Sequence, residues 1–371
     1  MRATHQGQQS ARAAPIGRTH DCKRHLHHAP HDLLQGGGHP HMRRRDFITL
    51  LGGAAAWPLA ARAQQPGRMR RIGVLMGYPE NDAEGQAYVA AFEEKLQQVG
   101  WTVGRNVQID TRWSPPGDVE ALQRFAKELV ALQPDLILSH STPTTATLLQ
   151  RTRSIPIIFA FVSDPLGSGF VASFPRPGGN STGFIVMEPG MASKWLELLK
   201  EIAPRVARVA FLFNPTTAPY AEYYLKPFKT AAPSFAVEAV TAPVHDKSEL
   251  TTLITTLAHE PNGGIIVMPD SFMDAHRAET ISLAARNGLP AVYPFQYWAE
   301  GGGLLSYGTE QIDNFRRAAV YVDRILRGEK PADLPVQAPV KYVLAINLKT
   351  AKVLGLTVPQ TLLVAAEKVI E

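Results

Sequence analysis

The sequence predicts an α/β protein made of two doubly wound, Rossmann-like lobes. Three observations predict it. Short, continuously apolar segments alternate with segments whose apolar residues recur every three or four positions, the pattern of parallel strands covered by helices on both faces. That alternation runs once over residues 71–161 and starts again at Met191. The chain of 371 residues has room for two domains of ordinary size.

The first run opens with residues 71–76, RIGVLM, a strand too apolar to face water on either side. Residues 82–99 form a helix, with Tyr88, Phe92, Leu96 and Val99 on one stripe and Gly100 as its stop. Residues 107–111 are the next strand. Asp118 caps a helix whose stripe is Leu122, Phe125, Leu129 and Leu132. Residues 136–139 are a strand, Thr142 and Pro143 open another helix, with proline at a first helical position, and 157–161 are again a strand. In the second run, helix 191–202 turns Trp195, Leu198, Leu199 and Ile202 inward. Strand 208–213, helix 220–232, strand 236–240, helix 248–257 and strand 265–268 follow, then a helix through Asn287 stopped by Gly288, and a short strand at 291–293.

Charge and cysteine usage exclude several functions. The net charge is +5, but residues 1–63 hold nine Lys/Arg against three Asp/Glu, so the other 308 residues carry −1. A near-neutral body excludes a basic nucleic-acid footprint as its main feature. The one cysteine, Cys22, lies in the leader, which excludes disulfide scaffolds, thiol catalysis and cysteine-ligated metals from the body. Eight of the twelve histidines lie in the first 41 residues; the body keeps His140, His245, His259 and His276. The four lack the i, i+4 spacing of a helical zinc site.

A second beginning stands at Met42. The basic head Arg43-Arg44-Arg45-Asp46-Phe47-Ile48 leads into a mildly apolar stretch to Leu59, then Ala61-Arg62-Ala63 and the polar Gln64-Gln65. This is the layout of a secretory signal peptide over 42–63, cleaved after Ala63, and its arginine pair is similar to the twin-arginine export signal. Residues 1–41 read as upstream sequence ahead of the true start; their histidines and Cys22 also look like a metal tract. No cysteine follows the apolar core, so a periplasmic product without a lipid is expected.

Ligands of doubly wound sheets bind at the carboxyl ends of the strands. Here those ends read Gly77-Tyr78-Pro79-Glu80, Ser139-His140-Ser141-Thr142 and Val162-Ser163-Asp164-Pro165, then Asn214-Pro215-Thr216-Thr217 and Pro269-Asp270-Ser271. Small polar residues beside helix starts offer free backbone N–H groups to a carboxylate or similar anion; the same residues also cap helices in any fold. His140 either lines a pocket or is a surface or capping group. Gly179-Asn180-Ser181-Thr182-Gly183 matches G-x-S-x-G, but a loop precedes it and Phe184-Ile185-Val186 follows as a strand, the wrong context for a hydrolase nucleophile. Neither a dinucleotide fingerprint nor a P-loop occurs.

A wider set of residues carries a family resemblance. Ile155-Pro156-Ile157-Ile158-Phe159 leads to Ser163-Asp164-Pro165, Gly167-Ser168-Gly169-Phe170-Val171 and Pro177-Gly178-Gly179-Asn180-Ser181-Thr182-Gly183. Later come Ala285-Arg286-Asn287-Gly288-Leu289-Pro290, Gly301-Gly302-Gly303-Leu304-Leu305-Ser306-Tyr307-Gly308, Arg327-Gly328-Glu329-Lys330-Pro331 and Asn347-Leu348-Lys349-Thr350-Ala351. Over residues 70–371 the chain resembles ABC-transporter substrate-binding proteins related to tryptophan- and phenylalanine-binding proteins. The resemblance implies a type I periplasmic binding protein with three crossovers, near 182–187, 303–307 and 335–342. Lobe one is then 70–183 plus 307–336, and lobe two 187–304 plus 340–371. It implies a ligand held between closing lobes. Ser141, Thr142 and Thr144 would hold its carboxylate, Ser163, Asp164 and Asn214 would add polar contacts, Asp270 would pair its ammonium, and Tyr78 and Tyr307 would cover its apolar part.

The expected function is a monomeric periplasmic receptor for an amino acid or related carboxylate, serving an inner-membrane ABC permease. It requires no catalysis, cofactor or metal. The alternatives are a ligand sensor signalling through a membrane partner and, far behind, an exported hydrolase using Ser181. A LacI-like repressor would share the fold type, but the N-terminus carries an export signal in place of a helix-turn-helix.

Overall fold

Two sheets organise residues 68–371, the part described by a computed structural model; the expected leader 1–41 and signal peptide 42–63 lie outside the described residues. The first sheet contains β1 (Arg70–Met76), β2 (Val107–Trp113), β3 (Leu136–Ser141), β4 (Ile157–Val162) and β5 (Ser181–Ile185). Their order is β2-β1-β3-β4-β5, with every pair parallel. Alternate residues serve opposite faces. Ile72, Val74, Leu136 and Leu138 join one core, while Leu75 and Ile137 join another. The first core is closed by α1 (Ala83–Gln98) and by α10 (Gln311–Leu326), the second by α2 (Val119–Ala131) and α3 (Thr142–Arg151). Asp82 and Asp118 cap α1 and α2, accepting from Gly85 N and Ala121 N.

The second sheet contains β6 (Arg208–Phe213), β7 (Glu238–Pro243), β8 (Gly263–Val267), β9 (Ala291–Tyr293), β10 (Leu305–Thr309), β11 (Tyr342–Asn347) and β12 (Lys368–Ile370). The order is β12-β11-β10-β9-β8-β6-β7. The helices between its strands are α4 (Met191–Ile202), α5 (Ala221–Ala231), α6 (Lys247–His259), α7 (Ser271–Ala275), α8 (Arg277–Arg286) and α9 (Gln296–Glu300); α11 (Leu348–Val353) and α12 (Gln360–Ala365) lie in the tail. One pair, β10 with β11, is antiparallel, because the chain re-enters this sheet from the opposite side after visiting the first lobe.

Several expectations shift. The helix expected through Asn287 is two helices, α7 and α8, separated at His276. The strand expected at 236 starts at Glu238, because Ala236 takes a left-handed conformation, φ 51°, closing a 3₁₀ turn over Ala232–Phe235. The lobe boundaries at 183 and 307 fall inside β5 and β10. All five residues of β10 pair in the second sheet, so Tyr307 belongs there. The chain crosses between lobes after Ile185, at 309–311 and at 337–342.

The three crossings lie side by side. Gln337 N donates to Gly183 O at 2.9 Å and Ile185 N to Gln337 O at 3.0 Å, a one-residue extension of the first sheet. Thr182 Oγ1 donates to Leu334 O at 2.6 Å, and Thr309 Oγ1 to Val186 O at 3.1 Å. Asn314, in the first turn of α10, donates through Nδ2 to Ala160 O and Ile185 O. Gly183 sits where these paths meet, at φ 153°, and a Cβ there would run into the backbone of Phe159. Gly183→Ala is therefore expected to destabilise the protein by about 3 kcal/mol through forced strand displacement, measured by urea denaturation; unchanged stability would refute the close approach.

Candidate ligand-binding site

The carboxyl ends of β1, β3 and β4 face those of β6 and β8 across the space between the lobes. A short β-region cap at Ser141 ends β3 and starts α3 in one step. Hydroxyls knit this junction. Thr144 Oγ1 accepts from Ser141 N at 2.8 Å and shares a hydrogen bond with Ser139 Oγ at 2.9 Å. Thr142 Oγ1 accepts from Ser163 N at 3.1 Å, tying the end of β3 to the end of β4. Capping is thus real at these positions, and it fixes the first turn of α3 toward the cleft.

Opposite it, the second lobe is organised by Asp270. Its Oδ2 accepts from Asn214 N at 2.6 Å and its Oδ1 from Phe272 N at 3.0 Å and from Thr217 Oγ1. Asn214 Oδ1 in turn accepts from Thr216 N and Thr217 N at 2.8 and 3.2 Å. Asp270 therefore shapes the loop after β6 and caps α7. Burial pushes its carboxyl up to about 6, outweighing the Thr217 and backbone hydrogen bonds that favour the charged form. Between the two walls lies a cavity of about 40 Å³, lined from one lobe by Gly77, Ser141, Thr144 and the Ser114–Val119 loop and from the other by Thr216, Thr217 and Ser271.

A second cluster joins the lobes beside this cavity. Tyr78 Oη donates to Asp274 Oδ2 at 2.6 Å, and both side chains are buried. Asp274 Oδ1 accepts from Tyr297 Oη at 2.7 Å and Trp298 Nε1 at 3.1 Å. Burial raises the Asp274 carboxyl above its ordinary value, while the two tyrosine hydrogen bonds and nearby Arg277 oppose that. Arg277 Nη1 reaches across to Asp82 Oδ2 at 3.1 Å, so the cap of α1 is also an interlobe partner. Ser163 Oγ meets Tyr224 Oη at 3.2 Å, and the Phe161 and Phe295 rings lie 5.4 Å apart.

Of the residues the sequence singled out, the structure gathers Tyr78, Ser141, Thr142, Thr144, Ser163, Asn214 and Asp270 around the cleft, all buried. It leaves two aside. Asp164 sits in a turn at φ 46°, where its side chain accepts from Gly167 N at 2.8 Å. Tyr307 stacks on Tyr342 at 5.8 Å, and its carbonyl accepts from Trp195 Nε1 at 2.6 Å. Ser181 Oγ donates to Phe170 O at 2.7 Å within a strand. His140, expected at the surface or as a cap if not in a pocket, is fully buried and caps nothing. The sequence reading missed Asp274, Arg277, Tyr297 and Trp298. Asp274 lies one helical turn beyond Asp270, and the aromatic run after β9, Tyr293-Pro294-Phe295-Gln296-Tyr297-Trp298, stands at a strand's carboxyl end; either signal could have found them.

Residues 80–370 match the family described as ABC transporter substrate binding protein. The chain belongs to that family. A curated relative, the tyrosine-binding protein of Clostridioides difficile (strain R20291), is 25% identical over 292 residues, which is 78% of this chain and 82% of the relative. Among solved structures, an ABC domain from Streptococcus pneumonia in complex with L-Trp is 27% identical with a TM-score of 0.75, over 81% of this chain and 99% of that one. A conserved domain protein from Vibrio cholerae is 25% identical with a TM-score of 0.76, over 81% and 100%. No helix among the described residues of this substrate-binding protein is long and apolar enough to cross a membrane.

The Asp270 environment makes a pH prediction. Its carboxyl ordinarily titrates at 3.8 and in the fold at about 6. Below about 4 the group is protonated in folded and unfolded chains alike. Between about 4 and 6 the folded chain holds a proton that the unfolded chain has released, so this group's stabilisation is complete at the acid end and lost as pH rises through about 6. The stability of the wild type relative to Asp270→Asn should therefore fall across that window in urea titrations. A constant difference would refute the burial effect.

Proposed function

We propose that this protein is the periplasmic substrate-binding component of an ABC importer and that it takes an amino acid, an aromatic one being the first candidate. The observation that carries the reading is a small cavity walled by both lobes, with hydroxyls on each wall and the Tyr78–Asp274 contact joining the lobes; at about 40 Å³ it is smaller than an amino acid and widens as the lobes part to admit one. The first turn of α3, with Ser141 and Thr144, suits the ligand's carboxylate. Asp270 and Asp274 place negative charge on the opposite wall, where an ammonium is favoured. The rings of Tyr78, Phe161, Phe295 and Tyr297, packed along the interlobe seam, suit an apolar or aromatic side chain once the cavity widens toward them. The relatives named for tyrosine and solved with L-Trp support the same class.

The export signal at 42–63 supports a periplasmic location after cleavage behind Ala63, and the family supports an inner-membrane permease as the partner that receives the loaded, closed form. Closure follows ligand occupancy, because a ligand touching both lobes stabilises only the closed state.

Saturating L-tyrosine or L-tryptophan at about 100 times Kd should stabilise purified residues 64–371 by about 2.7 kcal/mol, a shift of several degrees in Tm. A response confined to sugars, or none to any amino acid, would refute the proposal. Tyr78→Phe removes a hydrogen bond to a buried carboxylate that only the closed state makes, a loss of about 1.5–3 kcal/mol. Calorimetric affinity should fall about tenfold or more with little change in Tm of the free protein; unaltered affinity would show that the contact plays no part in closure.

A further inference from the structure

His140 has no use in packing for its polarity. It follows Leu136 and Leu138 along the same face of β3, where both leucines are core residues. Its ring lies 4.7 Å from Tyr78, 4.8 Å from Phe161 and 6.1 Å from Phe315, a site a phenylalanine would fill. Both ring nitrogens are buried, and neither has a hydrogen-bond partner among the described residues. An unpartnered buried polar group costs about 1–3 kcal/mol, so the fold bears this histidine at a loss unless something else engages it. Burial also pushes the imidazole down to about 3, so the ring is neutral and carries one N–H.

One nitrogen packs against a residue that lines the ligand cavity. Gly77, at the end of β1, lines that cavity. A Cβ on Gly77 would stand 3.0 Å from His140 Nδ1 and 3.0 Å from Ser141 Oγ. Any larger residue there would press on both atoms. With no side chain at Gly77, only its bare backbone stands between the cavity and these two atoms, beside the first turn of α3; Nδ1 has no free surface in this structure, so a ligand reaches it as the small cavity widens.

We propose that His140 is a ligand-contacting, specificity-determining residue whose Nδ1–H donates to the carboxylate of the bound amino acid past the bare backbone of Gly77. The inference rests on the amino-acid reading above and adds a contact to it. A carboxylate only accepts hydrogen bonds, so it selects the tautomer with the proton on Nδ1. Nε2 is then a bare lone pair among aromatic rings, whose edges carry partial positive charge.

The test is calorimetric titration of wild type, His140→Phe, His140→Asn and Gly77→Ala with L-tyrosine, L-tryptophan and their carboxamides. Phenylalanine keeps the ring and removes the donor. Asparagine places an amide nitrogen where Nδ1 stands. His140→Phe should bind the free amino acid at least tenfold more weakly than wild type and the carboxamide less than threefold more weakly. His140→Asn should recover most of the loss despite its smaller side chain, an order that a packing role would reverse. Gly77→Ala should also weaken binding at least tenfold while its Tm stays within a few degrees of wild type. Equal affinity of wild type and His140→Phe, or equal losses in His140→Phe and His140→Asn, would overturn the inference alone. Failure of the wild type to bind any of these probes would overturn the amino-acid reading and this inference with it.

Discussion

The buried carboxylate of Asp274 constrains the whole molecule. An ionised group removed from water needs several donors, and the second lobe supplies only Tyr297 and Trp298. The third donor, Tyr78, comes from the first lobe. When the lobes part, water takes the place of Tyr78, so only part of the contact's strength favours the closed form. It is nevertheless geometrically exclusive: only one relative position of the lobes brings the phenol to 2.6 Å from the carboxylate. The contact therefore selects a closed geometry, and a ligand that fits that geometry supplies the free energy of closing. Arg277 with Asp82 and Ser163 with Tyr224 lie near the same seam and reinforce the same register.

Such selection requires lobes that are rigid and crossings that are not independent. Both conditions follow from local chemistry. Alternation of apolar side chains along each strand fills two cores around the first sheet, and the helices on them leave little freedom. The three crossings are bound to one another through Gln337, Thr182, Thr309 and Asn314, so they form one connected segment between the lobes, the place where the proposed closure would turn. Gly183 is required because two backbones approach there more closely than a side chain permits. A hinge that is itself hydrogen-bonded has a defined axis, which is what allows a distant tyrosine to find its carboxylate.

Most of the fold was legible in the sequence, because parallel strands buried on both faces announce themselves as apolar runs. Strands β1, β6 and β9 appeared with bounds nearly as observed. The tail was not legible by periodicity: one of its pairings is antiparallel and the chain leaves and re-enters the sheet there, so only the family resemblance pointed to the crossings. Ser141, Thr144 and Asn214 were found because polar residues at strand ends form a pattern in one dimension. Asp274 and His140 were not assigned their places because nothing in one dimension shows burial. His140 sits in a run of small polar residues that suggests exposure, yet the sheet places it on the apolar face. Asp270 and Asp274 are four residues apart on adjoining turns, but one organises its own lobe and the other joins two. Tyr307 failed for a related reason: it lies on a strand whose sheet membership sequence could not decide.

The division of labour along the cleft has a thermodynamic consequence. The apparent affinity of a two-state receptor is the intrinsic affinity of the closed form reduced by the fraction of molecules that are closed. Contacts such as Arg277 with Asp82 touch no cavity wall, so they change that fraction and scale the affinity for every ligand alike. Gly77 and Ser141 line the cavity, so under the proposed function they change one ligand relative to another. The two sets are different residues, although both sit at strand ends of the same lobes. Under the proposed function, overall affinity is adjusted at the seam without altering which solute is chosen, and the choice of solute is altered at the cavity without disturbing the geometry of closure. A single buried contact shared by both tasks would couple them; Tyr78, adjacent to Gly77 in sequence and bonded to Asp274 across the seam, is the one residue positioned to do so.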